Sequence, residues 1–209
     1  MKSFISKSAV AAAGILAFAM TSCSGGDSGY APADTTATPA IVQNILTRTS
    51  IRRFAPVPVS SDTIDILLHA AMAAPSAKNV QPWKFVVVTD RALLKTIGER
   101  LPNVGPEKME NAQAAIVVCG EATKFIPEMP DYWVQDCSAA TENLLLAAHA
   151  CGLGAVWCGI YPDTERVETL RSILGLSDTL VPLNIVPVGV PDAVHNPIDK
   201  FNPDNIIRL

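Results

Sequence analysis

Charge is scarce in this chain. Only 17% of its 209 residues are Asp, Glu, Lys or Arg, and they sum to a net charge of −4. The lysines and arginines are scattered, so there is no basic face for nucleic acid. Zinc-type cysteine spacing is missing too. Cys119, Cys137, Cys151 and Cys158 form no C-x-x-C pair and have no paired histidine, which argues against a structural metal site. His69, His149 and His195 are dispersed, and no Ser–His–Asp order stands out. There are no internal repeats. Gly152-Leu153-Gly154-Ala155-Val156-Trp157 begins like a dinucleotide fingerprint, but it lacks the third glycine and follows a helix where a strand is required. What the chain has in abundance is apolar side chains, 49% of the total. That is the composition of one globular domain with a sizeable core.

The N-terminus reads as a separate object. Lys2 and Lys7 precede an uncharged apolar run of 12 residues, Ala9 to Met20. That is short of the ~20 needed to span a bilayer but right for a signal h-region. It runs into Met20-Thr21-Ser22-Cys23, which resembles a bacterial lipobox, with Met20 where leucine is more usual. Residues 1–22 are therefore expected to be a signal peptide, with Cys23 the lipid-bearing first residue of an exported, membrane-anchored protein. An ordinary secretory signal is the alternative. Residues 23–40, rich in Gly, Ala, Thr and Pro, read as a flexible tether to a domain spanning 41–209. Export makes a disulfide conceivable, but Cys119, Cys137, Cys151 and Cys158 all sit in apolar stretches, as small buried thiols do.

Periodicity supplies the elements. A short helix is expected over Ile41–Leu46. Ser60 or Ser61 caps an amphipathic helix with Ile64, Leu67, Leu68, Ala71 and Met72 on one face, ended by Pro75. Lys84–Thr89 reads as a buried strand. Asp90 caps a helix with Leu93, Leu94 and Ile97 inward, and Ala114–Cys119 reads as a second buried strand. Asp131–Cys151 is the longest helix, burying Val134, Cys137, Thr141, Leu144, Leu145 and Ala148 before Gly152 stops it. Ala155–Cys158 is a third strand. Pro162 and Asp163 open a helix with Val167, Leu170, Ile173 and Leu174 inward. Leu180–Val190 is a fourth strand, with Pro182 and Pro187 suggesting irregularity or an edge. Asn205–Leu209 would add a short last strand. The order is that of an α/β or α+β domain, helices around one sheet.

Two segments carry chemistry. Arg48-Thr49-Ser50-Ile51-Arg52-Arg53 offers guanidinium forks and hydroxyls suited to a phosphate monoester; a solvated basic turn is the plainer alternative. Ala74-Pro75-Ser76-Ala77-Lys78-Asn79-Val80-Gln81-Pro82-Trp83 offers amides that match a flat heterocycle and an aromatic wall; a proline-rich turn is the plainer alternative. Together, R-x-S-x-R followed by P-S-x-x-N-x-Q-P-W resembles the nitroreductase family. The helix leading into Gly152-Leu153-Gly154-Ala155 and the Pro- and Gly-containing strand Val181–Pro191 add to the likeness, which covers Ile41–Leu209.

The resemblance implies a three-layer α+β fold with a central mixed or antiparallel sheet. It also implies two non-covalently bound FMN molecules at a homodimer interface of domain-swapped style. It assigns Arg48, Thr49, Ser50 and Arg52 to the FMN phosphate and ribityl end. Pro75, Ser76, Ala77 and Asn79 approach the flavin from the other subunit, and Lys108 lies at the pyrimidine side. Trp157, Cys158 and Gly159 form the loop near flavin N5, and Lys200 is a further phosphate contact. Asn202 and Gly105 stand where many members have a basic residue and an asparagine, so fewer phosphate contacts are expected; Cys158 stands where some members have Glu. The implied chemistry is two-electron hydride transfer by alternating donor and acceptor, from NAD(P)H to nitroaromatics, quinones or similar acceptors. Dehalogenation and ene reduction run on the same fold, and an exported flavin-binding protein without turnover is the non-enzyme alternative. The short 124–132 connection, with Pro127 and Pro130, suggests an open site, and Tyr132 and Trp133 either line it or pack. Mass spectrometry of the mature protein is expected to find lipidated Cys23 at the N-terminus; an unlipidated start at Met1 contradicts the signal reading.

Overall fold

The computed structural model describes residues 38–209; the signal-like segment, Cys23 and most of the tether lie outside the described residues. Helix α1 (Ala40–Thr47) leads through an extended segment to the two-residue strand β1 (Phe54–Ala55). Helix α2 (Ser61–Met72) follows, its N-terminus capped by Ser60, whose hydroxyl accepts the Thr63 N–H. Then come β2 (Trp83–Val88), α3 (Arg91–Arg100), the single-turn α4 (Pro106–Met109) and β3 (Ala114–Glu121). The long α5 (Tyr132–Ala150) precedes two short strands, β4 (Gly154–Ala155) and β5 (Cys158–Gly159). The last elements are α6 (Thr164–Leu174) and β6 (Leu180–Pro191).

Every pairing in the sheet is antiparallel. The order is β1-β6-β3-β2, with β4 and β5 also paired to β6. The alternating residues of β3 explain the layering. Ala114 and Ile116 pack with α2 and α5 through Ile64, Leu67, Leu144 and Ala148. Ala115, Val117 and Cys119 pack with α3 and α6 through Leu94, Ile97, Val167 and Leu170. A strand covered on both faces has no polar side to offer, hence its unbroken apolar reading.

Several expectations are corrected. The strand expected at Lys84–Thr89 runs Trp83–Val88 and has only β3 beside it, so Lys84 and Val87 are exposed. Met72 and Leu93 are exposed rather than inward, because each lies at the margin of its helix's apolar stripe. The fourth strand is central, not an edge. Its prolines fit because β4 and β5 pair with positions 188–189 and 184–185, leaving Pro187 in the gap between them. Beside Pro182 the ladder to β3 shifts, from Val118↔Asn184 to Cys119↔Pro182. Leu183 is thereby bulged out, and its carbonyl accepts N–H groups from Ile160 and Tyr161 at 3.0 and 3.1 Å. The expected third strand is split into β4 and β5 by the same gap. No strand forms at 205–209; a 3-10 turn at Pro203–Asn205 precedes an extended, exposed end. All four described cysteines are free, and Cys151, at the end of α5, is exposed rather than buried.

Glycine at 154 is required by a close approach. A Cβ there would stand 2.6 Å from the Cβ and Cγ2 of Ile51. Gly154→Ala is therefore expected to cost ~1–3 kcal/mol through overpacking, lowering Tm by roughly 2–4 °C for each kcal/mol in a domain of this size. Calorimetry checks it; an unchanged Tm contradicts the tight contact.

Candidate functional site

The segment after α1 is anchored by its apolar members. The Ile51 N–H donates to Ala155 O at 3.0 Å, and Ile51 and Phe54 are buried against Gly154 and Gly189. With those two turned inward, Arg48, Thr49, Ser50 and Arg52 line a cleft of about 820 Å³. Its other wall is the arm Pro197–Phe201, which brings Lys200 to the same cleft. The size lies within the ~300–1,000 Å³ common for small-molecule sites. The Arg48 Nε lies 3.6 Å from Glu142 Oε1 of α5, with the arginine side chain mostly covered. Asp199 also lines the cleft, but its carboxylate accepts the Phe201 N–H at 2.9 Å.

A second corner forms where α3, α4 and β5 meet. Asn103 Nδ2 donates to Gly159 O at 2.6 Å, while its Oδ1 is buried without a partner. Lys108 Nζ donates to Val104 O and to Glu107 Oε1, both at 2.6 Å. That ammonium holds the Glu107 carboxyl below its ordinary value. The turn carrying Lys108 is held in turn by Arg91, whose guanidinium donates to the carbonyls of Met109, Glu110 and Ala112. Burial pushes the Cys158 thiol up to about 11, against an opposing pull from Lys108 and Arg52. Lys108 Nζ sits on the carbonyl of Val104, the residue next in the chain to the Asn103 that reaches Gly159. A Cβ on Gly159 would meet only open space, which leaves the strand's backbone approachable there.

Among the described residues, the loop after α2 is the strained part. Lys78, Asn79 and Gln81 all have positive φ, 50°, 55° and 49°, each costing on the order of 1–3 kcal/mol for a non-glycine residue. The surroundings over-determine it. The Ser76 hydroxyl accepts the Gln81 N–H at 3.0 Å, Gln81 Nε2 donates to Asn79 Oδ1 at 3.1 Å, and Asp136 Oδ1 accepts the Ala77 N–H at 2.9 Å.

Arg48, Thr49, Ser50, Arg52 and Lys200 are therefore brought together on one cleft, and Gly159 of the Cys158–Gly159 strand is joined to Asn103, beside the Val104 carbonyl that holds Lys108. Pro75, Ser76, Ala77 and Asn79 do not line that cleft within one chain. The Trp157 side chain is half-buried among the α2- and α5-facing apolar residues, so it contributes packing. Trp133 is packing as well: it is 5% exposed, stacked on Phe125 at 5.0 Å and edge-on to Tyr161. Asn202 is occupied in capping the last 3-10 turn, its Oδ1 accepting the Asp204 N–H. Sequence reasoning missed Asn103. The signal was an asparagine two positions before Gly105, in a loop whose reach cannot be read from spacing alone.

An antiparallel three-layer fold carries a cationic, hydroxyl-bearing cleft, an orphaned amide oxygen and a strained amide-rich loop, groups whose chemistry suits a phosphorylated, flat small molecule. The model of the Nitroreductase family matches residues 45–190. The chain is 46% identical over 167 residues to a provisionally named NADH dehydrogenase/NAD(P)H nitroreductase of Archaeoglobus fulgidus, covering 78% of this chain and 94% of that protein. A crystal structure of a protein with the same provisional name from Bacteroides thetaiotaomicron superposes with a TM-score of 0.77 at 39% identity, covering 82% of this chain and 98% of that one. A provisionally named nitroreductase from Desulfovibrio desulfuricans, solved in complex with FMN, superposes at 0.73 with 27% identity, covering 83% and 98%. The chain belongs to the nitroreductase family.

Burial raises the thiols of Cys119 and Cys137 to about 12 and that of Cys158 to about 11. At pH 8 a thiol three units below its pKa is only about one part in a thousand thiolate, the reactive form. Native iodoacetamide labelling at pH 8 is expected to modify Cys151 and spare Cys119, Cys137 and Cys158 until the protein is unfolded. Peptide mapping reads the outcome, and rapid labelling of Cys158 contradicts it.

Proposed function

We propose that this chain is an FMN-dependent oxidoreductase that passes two electrons from NAD(P)H to nitroaromatic, quinone or similar small acceptors. The observation that carries the reading is the convergence of Arg48, Arg52 and Lys200 with Thr49 and Ser50 on one cleft. Three cations and two hydroxyls suit a phosphate monoester bearing nearly two charges. The corner at Asn103 and Gly159 suits the ring: Asn103 Oδ1 lacks a donor, and a flavin ring edge carries an N–H as well as carbonyls. Bound flavin would supply hydride transfer at N5; the chain's own part is to bind, orient and exclude water. Arg48, Thr49, Ser50, Arg52 and Lys200 would hold the phosphate and ribityl end. Asn103, Lys108 and the backbone of Cys158 and Gly159 would hold the ring.

The active species is a homodimer in this reading. Ile45 and Leu46 of α1 are 50% and 61% exposed, and Ile198 and Phe201 of the arm 75% and 73%, and all four line the cleft. Exposed apolar side chains gathered in this way fit a partner subunit. They lie at the cleft, so the partner's 75–79 loop would complete the site. The short 122–131 connection, with Phe125 stacked on Trp133, favours an open site over a deep lid.

The N-terminal signature supports export of this same chain and its anchoring through Cys23. Nicotinamide cofactors are scarce outside the cytoplasm, so the second reading is an anchored flavin protein that draws on another donor or binds flavin without turnover. Purification with a visible spectrum and anaerobic mixing with NADH and NADPH decide between them. A yellow protein bleached by either cofactor is expected. A colourless protein that takes up no FMN on titration defeats both readings, and a yellow one that neither cofactor bleaches favours the second. Arg48→Ala should weaken FMN binding by ~1.5–3 kcal/mol, the worth of a hydrogen bond to a charged group. Fluorescence titration measures it, and unchanged affinity places the phosphate elsewhere.

A further inference from the structure

Among the described residues only three polar side chains are buried, Asp136, Thr141 and Asn184; two belong to α5 and the third is hydrogen-bonded to it. Asp136, 7% exposed on α5, accepts the Ala77 N–H through Oδ1 at 2.9 Å, while its Oδ2 is buried without a partner. Further along α5, Thr141 Oγ1 donates to Cys137 O at 2.7 Å and accepts from Asn184 Nδ2 at 3.0 Å. Asn184 stands opposite Gly159 in the β5–β6 register. One helix therefore grips the strained loop at one point and the strand beside the cleft corner at another.

A carboxylate buried with a single N–H partner is costly, and among the described residues no arginine or lysine pairs with Asp136. Its one hydrogen bond reaches the residue immediately before the left-handed run at Lys78 and Asn79. That is the point where a backbone tether decides whether the run holds its shape.

We propose that Asp136 is a positioning residue of the cofactor site: by holding the Ala77 N–H it fixes the 76–81 loop in its left-handed form, so that Ser76, Ala77 and Asn79 are presented in one geometry. The proposal rests on the flavin reading given above. Affinity scales with the fraction of chains whose loop is already in the binding geometry, so releasing the tether lowers affinity without touching the cleft.

Hydrogen exchange of the peptide spanning residues 74–82 in the flavin-free protein, with FMN titration beside it, tests this. Asp136→Ala is expected to speed exchange at Ala77 by about tenfold or more and to weaken FMN binding on the order of tenfold, as loss of a charge-assisted hydrogen bond implies. Asp136→Asn, which keeps a weaker neutral acceptor, should change both by roughly threefold. Leu144→Ala, a core truncation on the same helix, should lower Tm but leave Ala77 exchange and FMN affinity at wild-type values. Wild-type exchange and affinity in Asp136→Ala overturn the proposal, as do equal losses in Leu144→Ala. Should Asp136→Ala not fold, wild-type behaviour of Asp136→Asn in both measurements overturns it. If the wild-type protein itself binds no FMN, the flavin reading fails, while exchange at Ala77 still decides whether Asp136 holds the loop.

Discussion

Strands β3 and β6 run antiparallel with apolar side chains on both faces, and helices cover them from both sides. Burial on two faces means that each backbone N–H and C=O in the pair must find its partner in the sheet. That requirement makes β6 the strand on which β1, β4 and β5 all form, each only two residues long. The extended Arg48–Arg52 segment is in turn laid along β4, through the Ile51–Ala155 hydrogen bond. The cleft is a consequence of that stacking order: apolar Ile51 and Phe54 face the sheet, and their polar neighbours face outward.

The prolines of β6 show how the constraint shapes the site. A proline cannot donate to a ladder, and here the two interior prolines fall beside a gap and beside a bulge. The gap opposite Pro187 separates β4 from β5. The bulge at Leu183 turns its carbonyl toward Ile160 and Tyr161 and ends the pairing of β5. Cys158 and Gly159 are thereby held as a short, glycine-bearing strand at the margin of the sheet, with open space beside Gly159. Helix α5 supplies the second fixed reference. It meets the strained loop at Asp136, Arg48 at Glu142 and α1 at Leu146 and His149.

Much of this was legible along the chain because it depends on local periodicity or on compact motifs. The capped helices beginning after Ser60, Asp90 and Asp163 declare themselves by a short polar residue ahead of an apolar stripe, and the cap hydrogen bonds form. The two motif segments stand out because clustered arginines and hydroxyls, or amides between prolines, are unusual in so apolar a chain. Strand β2 was misread as buried because an apolar run does not reveal how many neighbours a strand has. Asn103 was missed because its partner, Gly159, is 56 residues away. Asp136 carries no local signal of its role, since the loop it holds lies 59 residues earlier.

By itself the sequence determined the local order of helices and strands, the pairing of two phosphate- and ring-suited motifs and, through them, the family. Those are properties of neighbouring residues, set by side-chain spacing and chemistry. The tertiary structure decided the rest. It joined Lys200 to Arg48 and Arg52, set Asn103 against Gly159, and kept the 75–79 loop out of the same chain's cleft. Each of those outcomes turns on which surfaces the two-faced β3–β6 core brings together, and contacts across a core depend on long-range burial that no local pattern encodes.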